Sequence, residues 1–274
     1  MLGADLALSA GRPTTANGIP PSGGGGAFSQ QYSLDFDGTD DYLDTGSSFS
    51  STLQSDYTIS TWFKRNETSA TAWLYGHDYR VPNKNILKVY FTSTTLVFNF
   101  QIAGTSLSAS FSNTPDTNWH HLVVSASQSG GSVVLKVYLD GVYKNTGSAT
   151  ASLSNYANPV TLTIGAGNGG TSRFSYSNAK QDEFAIFGSA LSDGGVSIGQ
   201  TAGGDIATLY NSGVPGNLSS LTPVAWYRMG DTGTDYGTST ITNAANAGTN
   251  DATIPNQTNG TNTSGAAFST DIPS

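Results

Sequence analysis

Apolar side chains recur at every second position in several short segments of this chain. Leu96, Phe98, Phe100 and Ile102, for example, are separated from one another by single residues. Successive side chains of a β-strand point to opposite faces, so such a segment buries one face and leaves the other near solvent. The alternation predicts an all-β chain. The predicted strands are residues 33–36, 57–64, 86–91, 96–102, 120–126, 133–139, 160–164 and 182–187.

Turn residues separate these segments at intervals of roughly ten residues, as in antiparallel β-sandwiches. Asp140 and Gly141 stand between an apolar run that ends at Leu139 and one that resumes at Val142. An Asp-Gly pair in this position is a strong hairpin signal, because glycine accepts the positive φ that a tight primed turn requires. Only 11% of the residues are charged, which disfavours helices, whose exposed faces are usually rich in Glu, Lys and Arg.

The charge distribution excludes several classes of partner. The formal net charge is −8, and the 11 Lys and Arg residues form no cluster. Nucleic-acid binding needs a basic stripe, so we expect no nucleic-acid partner. No run approaches the roughly 18 apolar residues that span a membrane, and the first residues do not resemble a signal peptide. The chain contains no cysteine, which is typical of proteins assembled in a reducing cytoplasm.

The strand patterns divide the chain into three regions. Residues 1–29 contain three prolines and a run of four glycines, and we expect an extended N-terminal arm. Residues 30–199 carry the strand patterns and form the predicted sandwich domain. Residues 200–274 are rich in Thr, Asn and Gly. There we expect one short helix, capped by Asp205 and stopped by Gly213, followed by an irregular extension.

Five segments, in order along the chain, resemble laminin-G-like, concanavalin A-like domains. They are residues 32–43, 57–64, 119–124, 138–141 and 182–192. The resemblance implies a jelly-roll sandwich with extended N- and C-terminal arms. This fold carries lectins, adhesion domains, glucanases and structural modules, so it does not by itself define a function.

The C-terminal region carries a second resemblance. Residues 209–215, 218–221 and 225–231 are similar to extensions on laminin-G-like virion proteins of tailed bacteriophages. This similarity implies a virion structural protein: a capsid decoration protein, a head fibre or a tail-associated subunit. Its terminal arms would contact other virion proteins, and we expect a homo-oligomer such as a trimer. The displayed domain would then be available to bind a host-surface glycan.

Two alternatives remain open. The first is a free-standing carbohydrate-binding protein with a lectin-like site. The second is a glycoside hydrolase, which would need two carboxylates about 5–5.5 Å apart in a retaining enzyme. The chain has only two glutamates, Glu67 and Glu183, and Asp182 beside Glu183 should point to the opposite face of its strand. We therefore expect no catalytic residue and no enzyme activity.

Calcium is the one cofactor that the sequence suggests. Asp37, Asp40 and Asp41 lie within five positions of a glycine-containing loop, and clustered carboxylate oxygens suit a hard cation. Laminin-G-like proteins often hold calcium at the rim of the sandwich, and the resemblance implies Asp182 as a distal ligand. Asx turns would explain the same aspartates without a metal.

A sugar site would combine aromatic rings for stacking with amide groups for hydrogen bonds to hydroxyls. Trp62 and Trp119 are more simply explained as core residues of a sandwich of this size. The predicted glycan-binding residues are Trp73, Tyr75, Tyr79, Tyr156, Asn168 and Tyr176.

Overall fold

Two antiparallel β-sheets pack face to face in the structure, a computed structural model that describes residues 28–68, 71–80, 84–112, 116–233, 235–255, 257–258, 261–262 and 265–274. This arrangement confirms the predicted all-β sandwich. Nearly all of the expected N-terminal arm, residues 1–29, lies outside the described residues.

Many of the strands are long in the centre of the chain and short near its C-terminus. They are β1 (Ser33–Asp37), β2 (Leu43–Asp44), β3 (Tyr57–Arg65), β4 (Ala72–Tyr79), β5 (Asn85–Phe91), β6 (Thr95–Ile102), β7 (Thr105–Ser112), β8 (Trp119–Ser129), β9 (Ser132–Leu139), β10 (Val142–Thr150), β11 (Thr163–Ile164), β12 (Gly167–Asn168), β13 (Arg173–Phe174), β14 (Asn178–Phe187), β15 (Ala225–Tyr227), β16 (Thr240–Ile241), β17 (Ala252–Thr253), β18 (Gln257–Thr258), β19 (Thr261–Asn262) and β20 (Ala267–Ser269). The α-helices are α1 (Ser50–Leu53) and α2 (Gly204–Tyr210), and 3-10 turns occupy Leu153–Asn155, Asn211–Gly213 and Ser219–Leu221.

The two large sheets are each eight-stranded. In the first sheet the strands follow the order β10-β9-β8-β3-β14-β1-β20, and β15 also pairs with β14. In the second sheet the order is β16-β17-β2-β11-β4-β5-β6-β7. β12 pairs with β13 and β18 with β19 in two small ribbons.

The main core lies between the two sheets, and it uses the alternating residues of the sequence pattern. Leu96, Phe98, Phe100 and Ile102 of β6 are each no more than 2% exposed, while the residues between them are half-buried on the other face. Full burial of a side chain of this size contributes about 1.5–3 kcal/mol. The period-two pattern therefore predicted the orientation of this strand correctly.

A second apolar cluster covers the outer face of the first sheet. Helix α2 places Ile206 and Leu209 against Val123, Tyr138 and Phe187 of the sheet. The first sheet is thus buried on both faces over this region, and the chain after β14 supplies the extra layer.

The predicted Asp-Gly hairpin joins β9 to β10. Asp140 has a φ of 52° and Gly141 a φ of 72°, the two positive values of a type I′ turn. Close packing also restricts the glycine position, because a Cβ there would lie 2.6 Å from Cδ1 of Tyr210.

Helix α2 differs in detail from the prediction. It begins after Gly203 and ends at Tyr210; the next residue, Asn211, has a φ of 45°, so the helix stops before Gly213. Asp205 does not cap the helix with its side chain; its carboxylate accepts hydrogen bonds from the backbone nitrogen (3.1 Å) and hydroxyl (2.8 Å) of Ser192 instead. Within the described residues, no helix is long and apolar enough to cross a membrane.

The C-terminal extension is more regular than its composition suggests. β15 and β20 add to the first sheet, and β16 and β17 add to the second. Tyr227, Met229, Ile241 and Ile254 are each at most 1% exposed and belong to the main core. Short strands with one or two apolar anchors each produce too weak a periodic signal to be identified from the sequence.

Candidate functional site

An open cleft of about 500 Å³ lies at one end of the sandwich, where β4 ends and β5 begins. The helix α1 and the loop before β11 bound its other side. Sites for small ligands commonly have volumes in this range. The lining residues are Ser48, Ser50, Gln54, Tyr79, Asn85, Ala157, Asn158 and Pro159.

Tyr79 is the aromatic side chain of this cleft. It is the last residue of β4 and pairs with Asn85, the first residue of β5. The pairing fixes its backbone, while its side chain remains half-buried rather than enclosed. Such a ring offers an apolar face for the C–H groups of a sugar ring, together with a hydroxyl that can hydrogen-bond.

Side-chain hydrogen bonds fix the opposite wall. Ser50 Oγ accepts a hydrogen bond from the backbone nitrogen of Asn158 (3.0 Å), and Gln54 Nε2 donates to the carbonyl of Tyr156 (2.7 Å). Asn158 Nδ2 donates to the carbonyl of Asn85 (2.9 Å) and so ties this wall to β5. A site held in this way needs little ordering when a ligand binds.

A buried histidine and a buried tyrosine pack on the core side of the cleft wall that is formed by α1 and the loop before β11. The Tyr156 hydroxyl lies 2.6 Å from Nε2 of His77, and His77 Nδ1 lies 2.8 Å from the Val160 carbonyl. A carbonyl only accepts, so Nδ1 carries the proton and Nε2 accepts from Tyr156. Burial lowers the pKa of His77 to about 4, which keeps the ring neutral near neutral pH and maintains this arrangement.

None of the described residues that line the cleft is charged. The neighbouring chain residues Asp78 and Arg80 pair with each other, with both carboxylate oxygens 2.8 Å from Nε of Arg80. Hydrogen bonding to Asp78 raises the pKa of Arg80. The cleft therefore presents an aromatic ring, hydroxyl groups and amide groups to a ligand. These groups are suited to an uncharged ligand that is rich in hydroxyls.

The structure assigns two of the predicted glycan-binding tyrosines to the core. Tyr75 and Tyr156 are both fully buried, and Tyr75 packs edge-on against Phe184, with ring centroids 5.1 Å apart. Neither ring can stack on a sugar. Trp73 is 6% exposed and packs against Phe174 on the outer face of the second sheet, away from the core.

Two further predicted residues lie on the other side of β4, near β12 and β13. Asn168 is 1% exposed and organises its own loop: its Nδ2 donates to the Thr161 carbonyl (2.8 Å), and its Oδ1 accepts from Arg173 Nη1 (2.7 Å). Its role in the structure is therefore to hold the loop. Tyr176 is half-buried near Tyr42, outside the cleft. Of the six predicted residues, Tyr79 alone lines the cleft.

The three predicted calcium ligands of the first loop do come together. Oxygens of Asp37, Asp40 and Asp41 lie within 4.8 Å of one another. Asp41 accepts a hydrogen bond from the backbone nitrogen of Asp37 (2.9 Å), and Asp37 accepts one from Thr39 (2.7 Å) in an Asx turn. Burial, followed by repulsion from Asp37 and Asp40, raises the pKa of Asp41 to about 6. Oxygen ligands of this kind suit calcium, and calcium binding stays a prediction.

Asp182 does not belong to this cluster. Asp37 pairs with Asn178 on β14, and Asp182 lies four residues further along that strand, about 13 Å away at normal strand rise. It is fully buried, and its carboxylate accepts a hydrogen bond from Gln30 Nε2 (2.5 Å). The expectation that Asp182 is a distal ligand of the same ion is therefore wrong.

The neighbouring Glu183 also departs from its predicted orientation. A β-bulge shifts the register of β14 between Asp182 and Ala185, and Glu183 has a φ of 48°. Strict alternation fails in a bulge, and Asp182 and Glu183 are both buried. Burial raises the pKa of both carboxyl groups; Glu183 raises that of Asp182 further, and Asp231 raises that of Glu183 further. Trp226 Nε1 donates to Glu183, and Arg228 Nε lies 3.1 Å from it.

Sequence reasoning did not identify the polar residues of the cleft. Ser50, Gln54, Asn85 and Asn158 occur in segments rich in turn-forming residues, where Ser and Asn are expected for conformational reasons alone. Their convergence depends on long-range packing of α1 against the loop before β11, and no local signal encodes it.

A family model of the concanavalin A-like lectin/glucanases superfamily matches residues 37–197, more than half of the chain. The chain belongs to this superfamily. The match covers β2 to β14 and the cleft, and it ends before α2. No match to a curated protein sequence was found.

Solved structures with a similar arrangement belong to several proteins. The K499G mutant of the NanB sialidase from Streptococcus pneumoniae is 17% identical with a TM-score of 0.47; the match covers 61% of this chain and 28% of the sialidase chain. The CBM40 of the Ruminococcus gnavus IT-sialidase is 12% identical with a TM-score of 0.45, over 59% and 92% of the two chains. The binding domain of botulinum neurotoxin serotype C1 is 20% identical with a TM-score of 0.44, over 60% and 38%.

Proposed function

We propose that this protein is a lectin-like carbohydrate-binding protein whose cleft around Tyr79 receives an uncharged, hydroxyl-rich saccharide. One observation carries the proposal: a cleft of about 500 Å³ presents a half-buried aromatic ring beside serine hydroxyls and asparagine and glutamine amides, and no residue in the described part of its lining is charged. Membership of a superfamily that includes lectins supports the same function. A ligand would stack on Tyr79 and exchange hydrogen bonds with Gln54 and the serines.

Substitution of Tyr79 tests this proposal. A glycan array with the full chain first identifies an uncharged saccharide, and titration calorimetry then measures its dissociation constant. Tyr79→Ala should weaken binding about tenfold, because a stacking contact is worth about 0.5–1.5 kcal/mol beyond the area that it buries. Tyr79→Phe keeps the ring and should bind within about threefold of the original protein.

Tyr176→Ala is the matched control, because Tyr176 is also a half-buried tyrosine but lies outside the cleft. It should leave the dissociation constant unchanged. An array without a bound saccharide, or equal loss of binding in the Tyr79→Ala and Tyr176→Ala variants, would contradict the proposal.

We also propose that the protein is not an enzyme. Of its two glutamates, Glu183 is 2% exposed and is held by Trp226 and Arg228. The carboxylate of its neighbour Asp182 is fully buried and accepts a hydrogen bond from Gln30 Nε2. Neither carboxylate faces the cleft, so a pair flanking a glycosidic bond is not available there. Incubation with the saccharide identified on the array should give no cleavage product.

Display on a bacteriophage virion, as part of a homo-oligomer, stays a prediction for the biological context. It rests on the similarity of residues 209–231 to extensions of phage virion proteins. In the structure, part of this extension pairs within the chain's own sheets through β15, so intersubunit contacts would have to use other surfaces. Light scattering after size-exclusion chromatography, with and without calcium, measures the oligomeric state.

A further inference from the structure

The outer face of the second sheet carries an ordered set of polar and aromatic side chains. Leu87 and Val89 of β5 point into the core, so Lys88 and Tyr90 point outwards. The strand register places Lys88 opposite Asn99 of β6, which is in turn opposite Ser108 of β7. A cross-strand row of ammonium, amide and hydroxyl therefore runs over this face.

Lys88 lies between two aromatic rings. Its Nζ is 5.7 Å from the ring centroid of Trp73 and 5.3 Å from that of Tyr90. Within the described part of the chain it forms no ion pair. In a protein with a formal net charge of −8, a half-buried ammonium without a carboxylate partner is a position of local positive potential.

Two amides next to this lysine have unused acceptors. The side-chain oxygens of Asn99 and Gln101 are buried and accept no hydrogen bond from the described residues. Both side chains are half-buried. Asn99 is held by hydrogen bonds from its Nδ2 to Ser106 Oγ (3.1 Å) and to the Leu107 carbonyl (3.3 Å), whereas rotation about the terminal torsion of Gln101 would present its oxygen to a ligand hydroxyl. An acceptor shielded from water without a donor is costly, so a ligand that supplies donors gains binding energy there.

We propose that this face, defined by Lys88, Tyr90, Asn99, Gln101 and Ser108, is a second binding site, which takes an acidic saccharide. The carboxylate or sulfate of the sugar would pair with Lys88, its ring would pack on Tyr90, and its hydroxyls would bond to the amides and the serine. The site differs from the uncharged cleft at Tyr79 in its residues and in the charge of its ligand. It does not depend on the function proposed for that cleft.

A matched pair of saccharides tests the charge requirement. Hexagalacturonate carries carboxylates, and its methyl ester has the same sugar ring without the charge. In titration calorimetry with the full chain, we expect the acid to bind at least about fivefold more tightly than the ester. Its affinity should also fall as the salt concentration rises from about 0.05 M to about 0.5 M, because the charge of Lys88 is partly exposed.

Single substitutions then locate the site. Lys88→Gln should weaken binding of hexagalacturonate about fivefold to tenfold. Lys144→Gln, which removes a half-buried lysine of β10 instead, should leave it within about twofold. Tyr79→Ala should also leave it unchanged, which separates this site from the cleft. Backbone amide shifts in nuclear magnetic resonance spectra of the unaltered protein provide a map that does not depend on the folding of any variant.

The expected map has its largest shifts at residues 86–91, 97–101 and 106–110. Four results would overturn the proposal: no binding of hexagalacturonate at millimolar concentration, equal affinity for the ester, equal losses in the two lysine variants, or shifts confined to the cleft around Tyr79.

Discussion

At the scale of single residues, Glu183 combines an unfavourable backbone conformation with a buried, hydrogen-bonded carboxylate. It occupies a left-handed backbone conformation, with a φ of 48°, inside a long buried strand. Its carboxylate accepts hydrogen bonds from Trp226 and Arg228. These contacts, made by the C-terminal extension, hold a conformation that costs about 1–3 kcal/mol for a residue with a Cβ.

Replacement of Glu183 by glycine and by alanine separates the backbone cost from the contacts. Both changes leave Arg228 and Trp226 without the carboxylate, and each should lower the free energy of unfolding by about 2–4 kcal/mol. Only alanine keeps a Cβ at positive φ, so Glu183→Gly should be about 0.5–1 kcal/mol more stable than Glu183→Ala. Chemical denaturation measures the difference.

Ala185→Gly on the same strand is the control for this comparison. Ala185 is fully buried and has no positive φ, so glycine should be the less stable residue there. If alanine were as stable as glycine at position 183, the bulge conformation would not be under strain.

The residues that the sequence predicted correctly are those with a repeated local pattern. The alternation in β6 defined its buried face, and the Asp140-Gly141 pair defined a hairpin, because strand period and turn chemistry are local properties. The prediction that Tyr75 and Tyr156 contact a sugar failed for the opposite reason, because both side chains are fully buried. Tyr75 and Tyr79 belong to the same strand, and only the three-dimensional arrangement makes one a core residue and the other part of a cleft.

At the scale of elements, the C-terminal extension completes the sandwich. β15 pairs with β14 from Phe184 to Ile186, beyond the end of the pairing between β14 and β1. β20 pairs with β1, and β17 pairs with β2. The extension therefore covers backbone edges and core residues in both sheets, although the family match ends at residue 197.

Removal of residues 225–274 should consequently prevent folding of the remaining chain. This deletion removes the buried side chains of Tyr227, Met229 and Ile241. Burial of each contributes about 1.5–3 kcal/mol to the free energy of unfolding, so the combined loss is comparable to the total stability of a domain. We expect this variant to lose its cooperative thermal transition in circular dichroism. A variant without residues 1–27 keeps every described contact and should retain that transition. A cooperative transition after removal of 225–274 would show that the extension is dispensable.

At the scale of the whole molecule, the first described residues and the C-terminal extension meet β14 at one buried acidic cluster, formed by Asp182, Glu183 and Asp231. Gln30 Nε2 donates to Asp182, and the backbone nitrogen of Gln31 lies 2.9 Å from Asp231. Arg228 pairs with Glu183 at 3.1 Å. Burial is the largest cause of the raised pKa of Asp182, Glu183 and Asp231. Arg228 opposes this effect at Glu183 and Asp231, because its positive charge lowers the pKa of both.

This cluster should make stability depend on pH in a direction opposite to that of the buried histidines. Burial raises the pKa of Glu183 from 4.5 to about 7. Its protonation therefore stabilises the fold fully below about pH 4.5, and this contribution is lost as the pH rises to about 7. Burial lowers the pKa of His77 to about 4 and that of His121 to about 3, so those residues favour folding as the pH rises towards 6.5.

A comparison of the original protein with the Glu183→Gln variant isolates the contribution of Glu183 to the pH dependence of stability. His77 and His121 are present in both proteins, so their contributions cancel in the difference. Glutamine does not titrate, and its single side-chain oxygen can accept one of the two hydrogen bonds that Trp226 and Arg228 donate to the carboxylate. The loss of the other hydrogen bond does not depend on pH, so it leaves the pH dependence of the comparison intact. The free energy of unfolding of the original protein minus that of the variant should fall by about 1–3 kcal/mol between pH 4.5 and pH 7 and then level off. Urea denaturation at intervals of about half a pH unit measures this difference. A difference that stays constant over that range would mean that Glu183 is ionised throughout, with Arg228 outweighing the effect of burial.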